Sequence, residues 1–330
     1  GKFLRENSWR GKDAPERKIR GVYFATHFAN YYDNAPENEL RDYIGDLALW
    51  GCNGISVWFD MHHYRGVGDP AAQQKISSLR RIFTAARDCG MHCNLLSLAN
   101  EAYADSPGEM RADWKGGKNG YRYDLNGHYH VELCPHAPGA MELLLKWRRE
   151  VFSAFADCGI DEVTVCPYDQ GGCVCGKCAP FGANGYWKII PEYARLARES
   201  FGNCAFHLGT WRFDIFTGGE WDDLFRRGDE VRKIASALYI DPADAAKVAG
   251  KSPGDLPVIG MSEISMEGML PWGGFGADPR PEYLEKELAA GKSFAGFRPY
   301  SEGIYEDMNK VILLAYSWKA RPVREILGDY

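Results

Sequence analysis

Apolar residues along this chain fall into a recurring two-part rhythm. Short, nearly continuous apolar runs, the mark of strands buried on both faces, lie at 21–25, 54–59, 92–97, 162–166, 205–210, 235–240, 257–261 and 294–298. Between most of them apolar positions recur at three- and four-residue spacing, as on a helix with one buried face. Over 39–50 that stripe is Leu40, Tyr43, Ile44, Leu47 and Ala48, and over 140–158 it is Leu143, Leu144, Trp147, Val151, Phe152 and Phe155. The same spacing predicts helices over 186–201, 281–290, 304–318 and 323–327. Trp50-Gly51-Cys52-Asn53, Asp88-Cys89-Gly90-Met91 and Asp157-Cys158-Gly159-Ile160 each place a Gly where a helix would close, just ahead of a buried run.

Eight such repeats predict an α/β chain folded as a closed (β/α)8 TIM barrel, because open doubly wound sheets more often have five or six strands. No GxGxxG fingerprint and no GxxxxGK[ST] phosphate loop interrupts that picture. With no linker visible, the expected organisation is an N-terminal arm over 1–18 and a catalytic-type barrel over 19–330. The opening Gly1-Lys2-Phe3-Leu4-Arg5, without an initiator Met or a signal segment, reads as a mature or trimmed start. One long insertion, 99–136, is rich in Gly, Asn, Asp and Tyr and is expected to lie over the active face.

Composition narrows the partners. With 45% hydrophobic and 25% charged residues, the chain has the balance of a folded soluble protein and not of a disordered one. The 39 Lys and Arg against 45 Asp and Glu leave a net charge of −6 with no basic block, which argues against a nucleic-acid partner. No apolar run approaches the roughly 18 residues of a membrane span. The 10 Trp, 18 Tyr and 16 Phe supply many flat amphipathic faces of the kind that line sugar pockets.

Barrel enzymes carry their chemistry on the loops that follow the strands, so the polar residues there are the candidates. They are His27, Asn30 and Asp33; Asp60, His62 and His63; Asn100 and Glu101; Tyr168, Asp169 and Gln170; Trp211, Arg212 and Asp214; Asp241; Glu263 and Glu267; and Arg298, Tyr300 and Glu302. Two carboxylates flanking a scissile bond are the core machinery of most glycoside hydrolases. Asp169 and Glu263, on strands nearly opposite in an eight-membered ring, are the expected pair, with Glu302 the third contender. Each also has a plain structural reading: a turn or cap for Asp169, an ion-pair partner of Arg212 or Arg298 for Glu263, and a helix first-turn position for Glu302. His27, Asp60, His63, Tyr168, Trp211, Arg212, Trp272, Arg298 and Tyr300 are the expected substrate-binding set, with Trp58 as a further ring. Arg212 and Arg298 at the rim would suit a uronic acid. Adjacent His62 and His63 argue against a metal hydrolase, since neighbouring residues lack the same-side spacing that brings two imidazoles to one ion.

The sharpest local motif is Cys173-Val174-Cys175-Gly176-Lys177-Cys178. Three thiolates on a Gly-rich loop can converge on one ion, and zinc with thiolate ligands takes four. Cys134 is the expected fourth ligand, with Cys166 and His136 in reserve. A structural zinc would clamp the loop bearing Asp169 and leave no open position for chemistry. The other readings are a disulfide with a spare thiol, or unligated cysteines.

Several patches resemble known families. The stretch Arg20-Gly21-Val22-Tyr23-Phe24-Ala25-Thr26-His27, with Trp50-Gly51-Cys52-Asn53-Gly54-Ile55 and Trp58-Phe59-Asp60, resembles the barrel opening of α-glucuronidase-like and β-N-acetylhexosaminidase-like glycoside hydrolases. The Tyr168-to-Cys178 loop is similar to the Asp-then-CxCxxC loop of bacterial family 163-type glycosidase barrels, as are Leu133-Cys134-Pro135-His136 and the ending Tyr300-Ser301-Glu302-Gly303. That resemblance implies glycan cleavage by acid/base chemistry, with N-acetylated and uronic-acid sugars as the candidate classes, an oligo- or polysaccharide as partner and no organic cofactor. One departure stands out: where family 20 hexosaminidases carry an Asp-Glu pair, this chain reads Asp169-Gln170, and Gln cannot protonate a leaving group. The alternatives are therefore a carbohydrate-binding barrel without catalysis and a non-hydrolytic sugar enzyme such as a lyase or isomerase.

Overall fold

A computed structural model describes residues 13–26, 30–113, 131–169, 171–265 and 277–330. The strands are β1 (Ile19–Phe24), β2 (Gly54–Trp58), β3 (His92–Leu98), β4 (Glu162–Cys166), β5 (Ala205–Gly209), β6 (Ala237–Ile240), β7 (Val258–Gly260) and β8 (Gly296–Phe297), with β9 (Tyr300–Ser301) extending the line of β8. Neighbours pair in parallel from β2 round to β8 and β1, and β1 pairs back onto β2, so the sheet closes. This is the expected eight-stranded TIM barrel.

Strand parity builds two cores. Val22 and Phe24 of β1 pack outward against the helices, whereas Tyr23 and Ala25 face the barrel interior with Trp58, Leu96, Leu98, Cys166, Tyr239, Met261 and Tyr300. Helices 281–290 and 186–201 sit where the periodicity puts them, the latter starting one residue earlier at Gly185. Asp69 caps the helix Pro70–Asp88 by accepting from the Ala71 N–H, and Pro70 opens it with its ring already set for helical geometry. The element expected over 304–318 divides into a 3-10 turn, Ile304–Glu306, and the helix Asp307–Trp318. Glu306 causes the break by turning back to accept from the Gly303 N–H and the Ser301 hydroxyl. The eighth run divides too. Pro299 has no N–H to give its neighbour, and pairing resumes at Tyr300, whose N–H donates to the Ser262 carbonyl.

Arg298 sits at that break, and its position corrects the sequence reading. It is not at the rim. Its side chain enters the floor of the barrel, 2% exposed, and pairs with Glu162, the first residue of β4. Space for it comes from Gly21, where a Cβ would stand 2.8 Å from the Arg298 Nε and 3.1 Å from the Gly54 carbonyl oxygen. Asn94 donates to both Glu162 (3.1 Å) and Thr164 (2.8 Å). Burial alone would raise the Glu162 carboxyl, but the Arg298 charge and its neighbours bring it down to about 2. Buried His207 is pushed down to about 4 and is neutral there.

Candidate active site

The C-terminal mouth of the barrel gathers four acidic side chains around two tyrosines. Tyr23 and Tyr300 meet edge to face at 5.2 Å inside the barrel. Burial lifts both phenols well above their usual range. The charges that add to this for Tyr23 include Asp60 and Asp169, and those for Tyr300 are led by Glu302 and Glu263. Glu302 and Glu263 are both held at Tyr300, one by its hydroxyl and the other by a backbone bridge. In the strand order β4 and β8 are four places apart, the diametric spacing, while β7 is three from β4.

Each acid is held differently. The Trp211 indole N–H donates to Asp169 Oδ1 at 3.0 Å, fixing that carboxylate against a half-buried ring. Glu263 is bridged in register to Tyr300, and its Oε1 accepts from the Ser265 N–H at 3.1 Å. Glu302 is 7% exposed and accepts from the Tyr300 hydroxyl at 2.9 Å. Burial raises it to about 7 despite that bond, with the Glu306 charge adding to the rise. The turn that carries it is braced from behind. Ser301 shares a 2.7 Å hydrogen bond with the Tyr32 hydroxyl, and buried Lys310 donates to the Gly303 carbonyl and the Tyr43 hydroxyl.

Beside this group stands a second buried cluster. Asp60 is pushed up to about 7 by burial, against the pull of Lys75 and His62. Its Oδ2 lies 3.2 Å from His63 Nε2. His62 Nδ1 is 3.2 Å from Glu101 Oε1, and the Trp58 indole donates to the other Glu101 oxygen at 3.1 Å. Glu101 thus braces the wall, a role its place after a strand does not distinguish from an ordinary loop acid.

One expected substrate contact is elsewhere. Tyr168 packs in the outer core against Phe181 and Phe216, and its hydroxyl donates to Glu220 at 2.7 Å. Glu220 also accepts from the N–H groups of Gly182 and Asp214, tying the β4 loop to the β5 loop. The Arg212 carbonyl accepts from the Tyr168 hydroxyl at 3.2 Å, and its guanidinium lies over the Phe216 ring at 5.5 Å. Glu220 opens a short helix after Gly218-Gly219, so the sequence alone reads it as a first-turn acid. Tyr168→Phe is expected to cost about 1–3 kcal/mol in urea unfolding, because Glu220 would lose a donor while remaining buried. His27 and Trp272, with Gln170 and Glu267, lie outside the described residues.

The cysteine motif closes on itself as expected. Cys134, Cys173, Cys175 and Cys178 bring their sulfurs within 4.8 Å of one another. Cys134 Sγ is 3.6 Å from Cys178 Sγ and 3.8 Å from Cys175 Sγ. Zinc–sulfur bonds of about 2.3 Å in a tetrahedron require sulfurs about 3.8 Å apart, so these four can hold a metal ion such as zinc. A disulfide would need about 2.05 Å. The Cys178 thiol and the Asp113 N–H hold Cys173 down to about 5, which favours the ligating thiolate. His136 Nδ1 stands 3.3 Å from Cys178 Sγ, beside the four rather than among them, and Cys166 faces the barrel interior.

Comparison with known proteins agrees at the level of the fold. No family model matches the chain, and no curated protein does. Among solved structures it is similar to the glycoside hydrolase domain of PgaB (BpsB) from Bordetella bronchiseptica, with a TM-score of 0.61 at 11% identity over 92% of this chain and 99% of that one. A glycoside hydrolase family 20 β-N-acetylglucosaminidase gives 0.55 at 14% identity over 96% and 77%. A β-N-acetylhexosaminidase gives 0.56 at 12% over 96% and 76%. The chain thus shares its fold with (β/α)8-barrel glycoside hydrolases.

Proposed function

We propose that the protein is a glycoside hydrolase in which Glu302 protonates the leaving oxygen and Asp169 supplies the second carboxylate, with Glu263, bridged to Tyr300, the remaining contender. The observation that carries this reading is the raised, 7% exposed Glu302 at the barrel mouth, diametrically across the strand order from Asp169. A carboxyl held near 7 is half protonated at neutral pH, as a general acid must be. Asp169 is half-buried, and its carboxylate accepts a hydrogen bond from the Trp211 indole. The substrate is an oligo- or polysaccharide, stacked on Trp211 and held by polar groups such as His63 at the rim. N-acetylated and uronic-acid sugars are the classes to test first.

The test is a panel of aryl glycosides and oligosaccharides that includes both classes. Turnover of at least one supports the assignment. Saturable glycan binding without turnover would favour the binding-barrel alternative instead, for which the Gln170 substitution speaks. Isomerisation or elimination products would point to the lyase or isomerase reading.

We further infer that the four cysteines hold a structural zinc, which pins the β4 loop bearing Asp169 to the segment bearing Cys134. Mass spectrometry should find that Cys178→Ser carries about one zinc per chain fewer than the parent. Thermal unfolding of that variant should drop by about 5 °C, given several kcal/mol of lost ligation and roughly 1–2 °C per kcal/mol in a chain of this length. Equal zinc content in the variant would refute the clamp.

A further inference from the structure

The geometry points to a second divalent-metal site at the barrel mouth, formed by Asp60, His62 and His63 and independent of the hydrolase reading. The ligand atoms of these three residues lie within 4.8 Å of one another. Adjacency of the two histidines does not prevent this. The chain after β2 tightens into a 3-10 turn, Met61–His63, with Asp60 immediately before it. Its narrow winding brings the two imidazoles to 4.1 Å between ring centroids. The expectation that neighbouring histidines cannot share an ion fails at this turn.

Three further features fit an ion rather than a plain hydrogen-bond cluster. Asp60 Oδ2 and His63 Nε2 are 3.2 Å apart, close to the roughly 3.3 Å between two ligands that each lie about 2.0–2.1 Å from a tetrahedral zinc. The other Asp60 oxygen, Oδ1, has no hydrogen-bond partner among the described residues although Asp60 is only 1% exposed. An ionised carboxylate in that position needs a cation or a donor. Finally, His62 Nδ1 faces the Glu101 carboxylate, which also accepts from Trp58. A proton donated from Nδ1 leaves the lone pair of that ring on Nε2. A carboxylate behind a histidine is the usual second support of a metal-ligating imidazole.

Two nitrogens and one oxygen select a first-row divalent ion such as Zn2+ or Co2+. His63 is 44% exposed on its side chain, so the open coordination positions face the mouth, where a sugar hydroxyl or carboxylate can complete the shell. Half-buried Lys75 nearby is paired with Asp33 at 2.6 Å, which lowers its repulsion of the ion.

Cobalt titration of the full chain, followed by visible absorption and calorimetry, separates this site from the cysteine cluster. Thiolate-bound cobalt gives an intense sulfur-to-metal band that an N2O site lacks. The expected result is a Co2+ ion bound without that band, retained in Cys178→Ser and weakened at least tenfold in both His63→Ala and Asp60→Asn. Glu101→Gln should weaken it about 10–100-fold, the usual effect of losing such a support. His63 is exposed enough that its truncation leaves the fold intact, so the result does not hinge on the buried variants. No band-free cobalt in the unmodified chain, or binding in His63→Ala at unmodified affinity, would overturn the site.

Discussion

Glu302→Gln is expected to lower glycoside turnover about 10²–10⁴-fold while leaving the barrel folded. Gln keeps the shape and can still accept from Tyr300, but it has no proton to give. The effect should shrink on aryl glycosides with acidic leaving groups, which depart with little protonation. In the parent protein the turnover proposed above should fall as pH rises through about 7, the value to which burial pushes Glu302. An ordinary Glu near 4.5 would be only about 0.3% protonated at pH 7. Stability gives an independent readout. A carboxyl raised on folding contributes fully below its unfolded value near 4.5 and loses that contribution as pH climbs through about 7. Glu302→Gln removes this loss, so the variant should unfold at a higher urea concentration than the parent at pH 8. Turnover within threefold of the parent on a poorly activated substrate would remove Glu302 from the acid role.

Much of this architecture was legible because it rests on periodicity. Strand runs, helix stripes and glycine stops are local, and a ring of eight is the compact way to bury them all. The cysteine cluster was legible for a related reason: three of its members are close in sequence, and Cys134 sits in a compact Cys-Pro-His segment. Side-chain direction was not legible to the same degree. Tyr168 follows β4 by two residues, as Asp169 does by three, yet one turns into the helix layer and the other toward the mouth. Parity could have marked Tyr23 as interior, since it alternates with outward Val22 and Phe24. Arg298 gave no such cue, because its partner Glu162 is 136 residues away and the cavity it fills exists only where Gly21 and Gly54 lack side chains. The approach of His62 and His63 to each other was not legible for a subtler reason: the helical spacing rule assumes a regular helix, and a single 3-10 turn obeys a different geometry.

Arg298→Met should destabilise the protein by about 3–5 kcal/mol, the usual consequence of stripping one partner from a buried ion pair. Glu162 would remain in the barrel floor with only Asn94 and a neutral His207 to face its charge. The double variant Arg298→Met/Glu162→Gln should recover most of that loss, because it removes the stranded charge and fills the space left by the guanidinium stem. Acid should separate the two proteins by sign. In the parent, Glu162 is held at about 2, below its unfolded value near 4.5, so its contribution is present above pH 4.5 and is lost as pH falls toward 2. In Arg298→Met burial dominates, the carboxyl rises above its ordinary value, and mild acidification should restore stability instead of removing it. Urea midpoints measured at pH 7 and pH 5 report this directly. The floor is at the opposite end of the barrel from Glu302 and Asp169, so the folded variant should keep its KM for any substrate. An altered KM for a uronic-acid substrate, with unfolding unchanged, would return Arg298 to the rim as a ligand for sugar carboxylates and undo the placement of this ion pair.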